Sequence, residues 1–172
     1  MLTIKHYARP QTVPEALRLL REKKSNVALG GMLWLKLQDK TVDTAVDLAG
    51  LGLDAIEETP EGWRIGAMVT LRRLETHTGL AAFTGGAMAE SVKHIVGVQF
   101  RNLATIGGSV FGRFGFSDPL TLLLALDARV ELAEAGRMSL RDFAESDIRK
   151  DILTHIFIPG GKVEAVYLSQ RN

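Results

Sequence analysis

RNLATIGGSVFGRFGFSDPLTLLLALDAR, residues 101–129, is the stretch on which the reading of this chain turns. Its lead-in, Ala104, Thr105 and Ile106, reads as extended and ends at Gly107-Gly108. Two adjacent glycines let backbone N–H groups approach an anion that any Cβ would hold away. Ten residues on, Ser117-Asp118-Pro119 reads as a helix N-terminus, with Asp118 as the cap, Pro119 in the first helical position and the apolar run 120–126 behind it. A carboxylate is thereby expected beside a phosphate-binding loop.

Upstream, residues 2–7 (LTIKHY) alternate as a strand and 12–24 form an amphipathic helix, with Thr12 as its cap and Glu15 three residues on. Residues 27–29 are a short buried strand, Gly30-Gly31 a sharp turn, and 32–38 (MLWLKLQ) a helix. Residues 44–48 give another strand, so the first fifty residues read as a parallel β-α-β-α-β unit. Strands at 53–59 and 63–66 flank the turn Pro60-Glu61-Gly62 as a hairpin. Thr70 caps a helix through Thr76, and 87–96 form another helix. Beyond residue 129 come strands at 129–133 and 152–158, a helical turn starting at Ser139, and a last strand at 163–168.

At 172 residues with 46% hydrophobic content the chain can bury a core without staples. Its net charge of +1 argues against nucleic acid or an anionic membrane as partner. With no cysteine it carries no disulfide, thiolate zinc site or iron–sulfur cluster of its own, so any redox centre is a bound organic cofactor. No run is long enough to span a bilayer and the N-terminus has no signal-peptide core, which makes the cytoplasm the expected location. His6, His77, His94 and His155 have no metal-ligand spacing, and neither Ser109 nor Ser117 has a histidine at motif spacing, so no metal and no catalytic side chain are expected.

Gly-Gly occurs at 30, 85, 107 and 160, and such a pair is more often a turn than a ligand site. The pairs at 30 and 107 each follow a short hydrophobic strand, so a pyrophosphate fits between them. Neither matches a G-x-G-x-x-G fingerprint or a P-loop. Asp118 reads first as a helix cap, a role compatible with accepting hydrogen bonds from a sugar or ribityl hydroxyl.

Residues 95–132, IVGVQFRNLATIGGSVFGRFGFSDPLTLLLALDARVEL, resemble the signature region of the FAD-binding subunits and domains of molybdenum hydroxylases, the family of xanthine dehydrogenase and carbon monoxide dehydrogenase medium subunits. VALGGML at 27–33, Val46-Asp47-Leu48 and DILTHIFIP at 151–159 extend the resemblance over nearly the whole chain. It implies an α+β, two-subdomain FAD-binding fold of the molybdopterin dehydrogenase type. A small parallel β-α-β unit (1–52) precedes a larger mixed or antiparallel sheet with helices (53–160), and 161–172 begin a C-terminal domain that is otherwise missing.

By the same resemblance, FAD lies in the cleft between subdomains. Leu29, Gly30, Gly31, Met32, Leu33 and Trp34 form its first loop, and Thr105, Ile106, Gly107, Gly108 and Ser109 the second. Asp118 meets the polyol chain or the adenosine part, with Ile95 and Leu153 as apolar contacts beside the rings. In the family, electrons pass from a molybdopterin-binding large subunit through a [2Fe–2S] small subunit to FAD, and on to NAD or another acceptor. Met32-Leu33 stand where the family has small polar and often acidic residues, Ser109 where it has Asn, and Phe111, Phe114 and Phe116 where it has small ones. Those departures motivate the alternatives of a flavin-free assembly or scaffold module, or a module for another phosphate ligand.

Overall fold

The computed structural model describes residues 1–170. β1 (Thr3–Ala8), β2 (Val27–Leu29) and β3 (Thr41–Asp47) form a parallel sheet in the order β1-β3-β2. Parallel neighbours need a crossover, and the first is α1 (Val13–Glu22). Thr12 Oγ1 accepts from the Glu15 N–H at 3.3 Å, and the Glu15 carboxylate accepts from the Gln11 N–H at 2.8 Å. Ala16 and Leu20 then seal the helix onto Val46 of the sheet.

The second crossover is not the helix expected over 32–38 but a single 3₁₀ turn, Leu35–Leu37. Met32 takes a left-handed φ of 62°, which a helix start cannot contain, and Gly31 is pressed against the backbone of Leu103. The unit is therefore β-α-β-turn-β.

The second sheet contains β4 (Ile56–Thr59), β5 (Gly62–Gly66), β6 (Arg129–Leu132), β7 (Gly136–Ser139) and β8 (Leu153–Pro159), in the order β4-β5-β8-β6-β7 and wholly antiparallel. Period-2 alternation gives it two faces. Ile65, Val130, Ile156 and Ile158 are buried under α2 (Leu71–Thr76), α3 (Thr78–Phe83), α4 (Ala87–Lys93), α5 (Val98–Leu103), α6 (Ile106–Phe111) and α7 (Asp118–Ala125). The other face carries Arg64, Glu131 and His155, where burial and the neighbouring Arg64 hold the imidazole below its usual pKa. Arg64, whose guanidinium can only donate, donates to His155 Nδ1 at 3.0 Å. α8 (Leu140–Glu145) starts at Ser139, as expected, whose Oγ accepts from the Asp142 N–H at 3.0 Å.

The two sheets are locked together just before β8. Lys150 Nζ donates to the carbonyls of Asn26 (2.5 Å) and Lys23 (3.3 Å), capping the end of α1, while Arg21 Nε donates to the Lys150 carbonyl at 2.9 Å. Ile152 enters the α1–β3 core, and the buried Asp151 accepts from the N–H groups of Glu134, Ala135 and Ile152.

Four further local expectations change. Ile106 begins a helix rather than ending a strand, because Thr105 Oγ1 caps it by accepting from the Gly108 N–H at 3.2 Å. Ser117, not Asp118, is the residue before α7, and Asp118 is its first helical position. The helix expected over 87–96 stops at Lys93, and Val96 is left-handed at φ 51° before α5 starts. Residues 163–168 keep the alternating burial of a strand but form no ladder. β7 had no distinct periodic signal in four residues.

Candidate functional site

A cleft of about 590 Å³ opens between the end of β2 with its following loop and the helical layer, within the range of roughly 300–1,000 Å³ common for small-molecule sites. The loop after β2 forms one wall and the α5–α6 junction the other, and they meet at Gly30 and Gly31 of the first loop. A Cβ on Gly30 would come within 2.6 Å of Thr105 Oγ1, and one on Gly31 within 1.9 Å of the Leu103 carbonyl oxygen.

Of the residues singled out from the sequence, Leu29, Gly30, Gly31, Met32, Leu33, Trp34, Ile95, Thr105, Gly108, Ser109 and Asp118 line this cleft. Ile106, Gly107 and Leu153 do not. Ile106 and Leu153 are buried in the helix–sheet core. Gly107 faces inward because helix α6 lies directly on Ala67, where a Cβ would strike the carbonyl oxygen at 2.6 Å and the methyl at 2.7 Å. The pair at 107–108 is thus divided between packing and cleft.

The distribution of donors also departs from the symmetrical cradle expected from sequence. At the second loop the N–H groups are already used: Ile106 donates to Val69 O (2.9 Å), Gly107 to Ala67 O (2.8 Å) and Gly108 to Thr105 Oγ1 (3.2 Å). At the first loop the N–H groups of Gly31, Met32, Leu33 and Trp34 donate to no acceptor among the described residues. A run of such donors beside a left-handed residue is the geometry of an anion-binding nest. The left-handed Met32 costs about 1–3 kcal/mol, strain typical of ligand-holding loops. Asp118 is the single formally charged side chain lining the cleft among the described residues.

Two arginines, neither assigned a site role by sequence reasoning, hold the walls. Arg101 is buried, donates bidentately to Glu75 (Nε 2.8 Å, Nη2 3.2 Å) and with Nη1 to the Ile95 carbonyl at 3.0 Å, which fixes the 94–97 turn at the cleft. Arg113, left-handed at φ 49°, donates to the carbonyls of Phe143, Ser146 and Ile148 and lies 4.9 Å over the Phe143 ring. It anchors the loop that carries Phe114 and Phe116 into the cleft. Phe111, expected there too, packs instead on Phe143 at 5.6 Å. Across the mouth Trp34 meets Phe116 (5.5 Å), Phe114 (6.3 Å) and Phe100 (6.3 Å). No local signal marks Arg101, since α5 (VQFRNL) also carries Gln99 and Asn102 and exposes Val98 and Leu103.

No group of three or more potential metal ligands occurs among the described residues, and none of their helices is long and apolar enough to cross a membrane.

Comparison with known proteins gives the same region a context. A family model described as the FAD binding domain in molybdopterin dehydrogenase matches residues 2–161. The protein YgfM of Escherichia coli (strain K12) is 31% identical over 158 residues, covering 90% of this chain and 59% of its own length. The nicotine 6-hydroxylase medium subunit of Paenarthrobacter nicotinovorans is 28% identical over 166 residues, covering 89% and 58%. Among solved structures, a chain of the Cu,Mo-CO dehydrogenase superposes with a TM-score of 0.85 at 28% identity, over 95% of this chain and 62% of its own. The chain thus spans about three fifths of the length of the curated relatives it matches.

Proposed function

Because this chain belongs to the family of FAD-binding domains of molybdopterin dehydrogenases, we propose that it is the flavin-carrying part of a molybdenum hydroxylase complex. FAD is the cofactor of that family, and the residues of the cleft fit it. The observation that carries the reading is that residues 31–34 line the cleft while their backbone N–H groups have no acceptor among the described residues. These donors would hold the pyrophosphate, together with the open backbone at Gly108, where no Cβ intrudes. Asp118 would accept from a hydroxyl of the polyol chain or the adenosine ribose. Ile95 and Trp34 offer apolar surface to the ring system. Residues 1–52 and 53–160 act as the two halves of the site.

Bound flavin supplies the redox chemistry, accepting and releasing electrons, and no side chain of this chain is required as acid or base. Thr105 and Gly30 keep the two loops in register, Arg101 and Arg113 hold the walls, and the aromatic residues exclude water from the mouth. Electrons would reach this chain from a [2Fe–2S] small subunit that takes them from a molybdopterin-binding large subunit, and leave to NAD or another acceptor, in the cytoplasm. The exposed apolar side chains on the elements around the mouth, Leu37, Val96, Val98, Leu103 and Phe116, suit burial by such a partner.

A second reading, a flavin-free assembly module, is favoured by one observation. Phe114 and Phe116, stacked at 5.2 Å, and Trp34 share the cleft that the ligand would need. The visible spectrum of the purified protein, followed by an FAD titration, separates the two. A yellow protein, or one that binds added FAD, supports the flavin reading. A colourless protein without FAD affinity, alone and beside its partner subunits, overturns it.

A further inference from the structure

After β8 the chain turns at Gly160-Gly161, the latter at φ 120°, and its tail passes the turn between α3 and α4, where the Ala165 carbonyl oxygen lies against Gly85. Alternate residues of this tail are half-buried, and Ala165 and Tyr167 pack on the core beneath the helices. With no ladder to hold it, the tail is fixed by side chains. Its Tyr167 hydroxyl donates to Asp118 Oδ1 at 2.5 Å, and Ser169 and Gln170 continue along the cleft wall. A short hydrogen bond to a carboxylate is among the stronger kinds available to a neutral donor.

We propose that Tyr167 is a positioning residue of the cofactor site, holding the Asp118 carboxylate in the orientation from which it accepts a ligand hydroxyl. The inference rests on the FAD reading and adds to it a third wall that neither glycine loop supplies. Asp118 is the first residue of α7, so its side chain has rotamers that point away from the cleft. The Tyr167 hydroxyl restricts that freedom before the ligand arrives, and a ligand bound by a preset group loses less entropy than one that must order it. The ring of Tyr167 is already held by the core, so the donor is itself preorganised.

The test uses the full chain and four forms: wild type, Tyr167→Phe, Asp118→Asn and the double variant. Each is titrated with FAD, FMN and ADP and melted without ligand. Tyr167→Phe keeps the packed ring, so its melting curve reports whether anything besides the hydroxyl has changed. The expected result is a loss of FAD affinity of about tenfold in Tyr167→Phe, with the double variant no weaker than Asp118→Asn alone. Whichever of FMN and ADP is weakened by Asp118→Asn should also be weakened by Tyr167→Phe, a ligand fingerprint that loosened packing would not reproduce. Wild-type FAD affinity in Tyr167→Phe, or losses that multiply in the double variant, overturn the positioning role while the FAD reading stands. A wild-type protein that takes no FAD overturns both.

Discussion

Gly31 and Leu103 touch backbone to backbone: a Cβ on the glycine would lie 1.9 Å from the leucine carbonyl oxygen. Gly31 lies in the loop after β2 and Leu103 ends α5, so this contact helps set how closely the two walls of the cleft approach. The glycines of both loops therefore serve two ends, close packing and an open ligand surface, and those ends are separable by mutation.

Gly107→Ala should lower stability by about 1–3 kcal/mol, because its methyl would meet the backbone of Ala67. At roughly 2–4 °C per kcal/mol this is a clear fall in melting temperature. Gly108→Ala meets only Thr105 Oγ1, at 3.2 Å, and should lower the melting temperature by much less than Gly107→Ala. Gly108→Leu should stay folded and lose measurable FAD binding. Retention of wild-type affinity in that variant would contradict the placement of the pyrophosphate.

The Arg101–Glu75 pair predicts a pH dependence. The hydrogen bond from Arg101 holds the Glu75 carboxyl below the usual carboxylate range, against burial and with help from Arg72. A folded-state pKa below the unfolded one gives stability that is complete above the unfolded value of about 4.3 and lost as pH falls through the folded value. Arg101→Met should cost about 1.5–3 kcal/mol near neutral pH, since it removes the bidentate hydrogen bond and leaves the partly buried Glu75 carboxylate to Arg72 alone. Its melting temperature should also fall less steeply than that of wild type as pH drops from about 5 to about 3. Parallel acid limbs would show that the pair contributes no such linkage.

Trp34 offers an optical reporter. It is 46% exposed at the mouth of the cleft, whereas Trp63 is 6% exposed and packs on His77 and Phe83. With Trp63→Phe as background, FAD should quench the remaining indole emission, and the quench should follow the same binding curve as the flavin's own fluorescence. Emission from Trp34 that ignores saturating FAD would place the ring system elsewhere.

The family and most of the wall-forming positions were legible in the chain, because the glycine pairs, Asp118 and the apolar runs are local signals. The roles within each pair were not. Nothing local distinguishes Gly107 from Gly108, yet one abuts Ala67 and the other opens on the cleft, since which face of α6 meets the sheet is a matter of packing. The helix expected over 32–38 had good propensity throughout, and was overridden by a contact with residue 103 and the left-handed Met32. The strand expected over 163–168 had the right alternation without a neighbour to pair with, because alternation reports burial and not hydrogen bonding.

The sequence by itself determined the elements whose signals lie within a few residues: capped helices, alternating strands, glycine loops and the absence of thiol ligands. Only the tertiary structure decided which N–H groups lack an acceptor among the described residues, that Arg101 and Arg113 brace the cleft, and that Tyr167 reaches Asp118 across 49 residues. Those outcomes depend on how two sheets and a layer of short helices settle against one another, and no window along the chain contains both partners of such a contact.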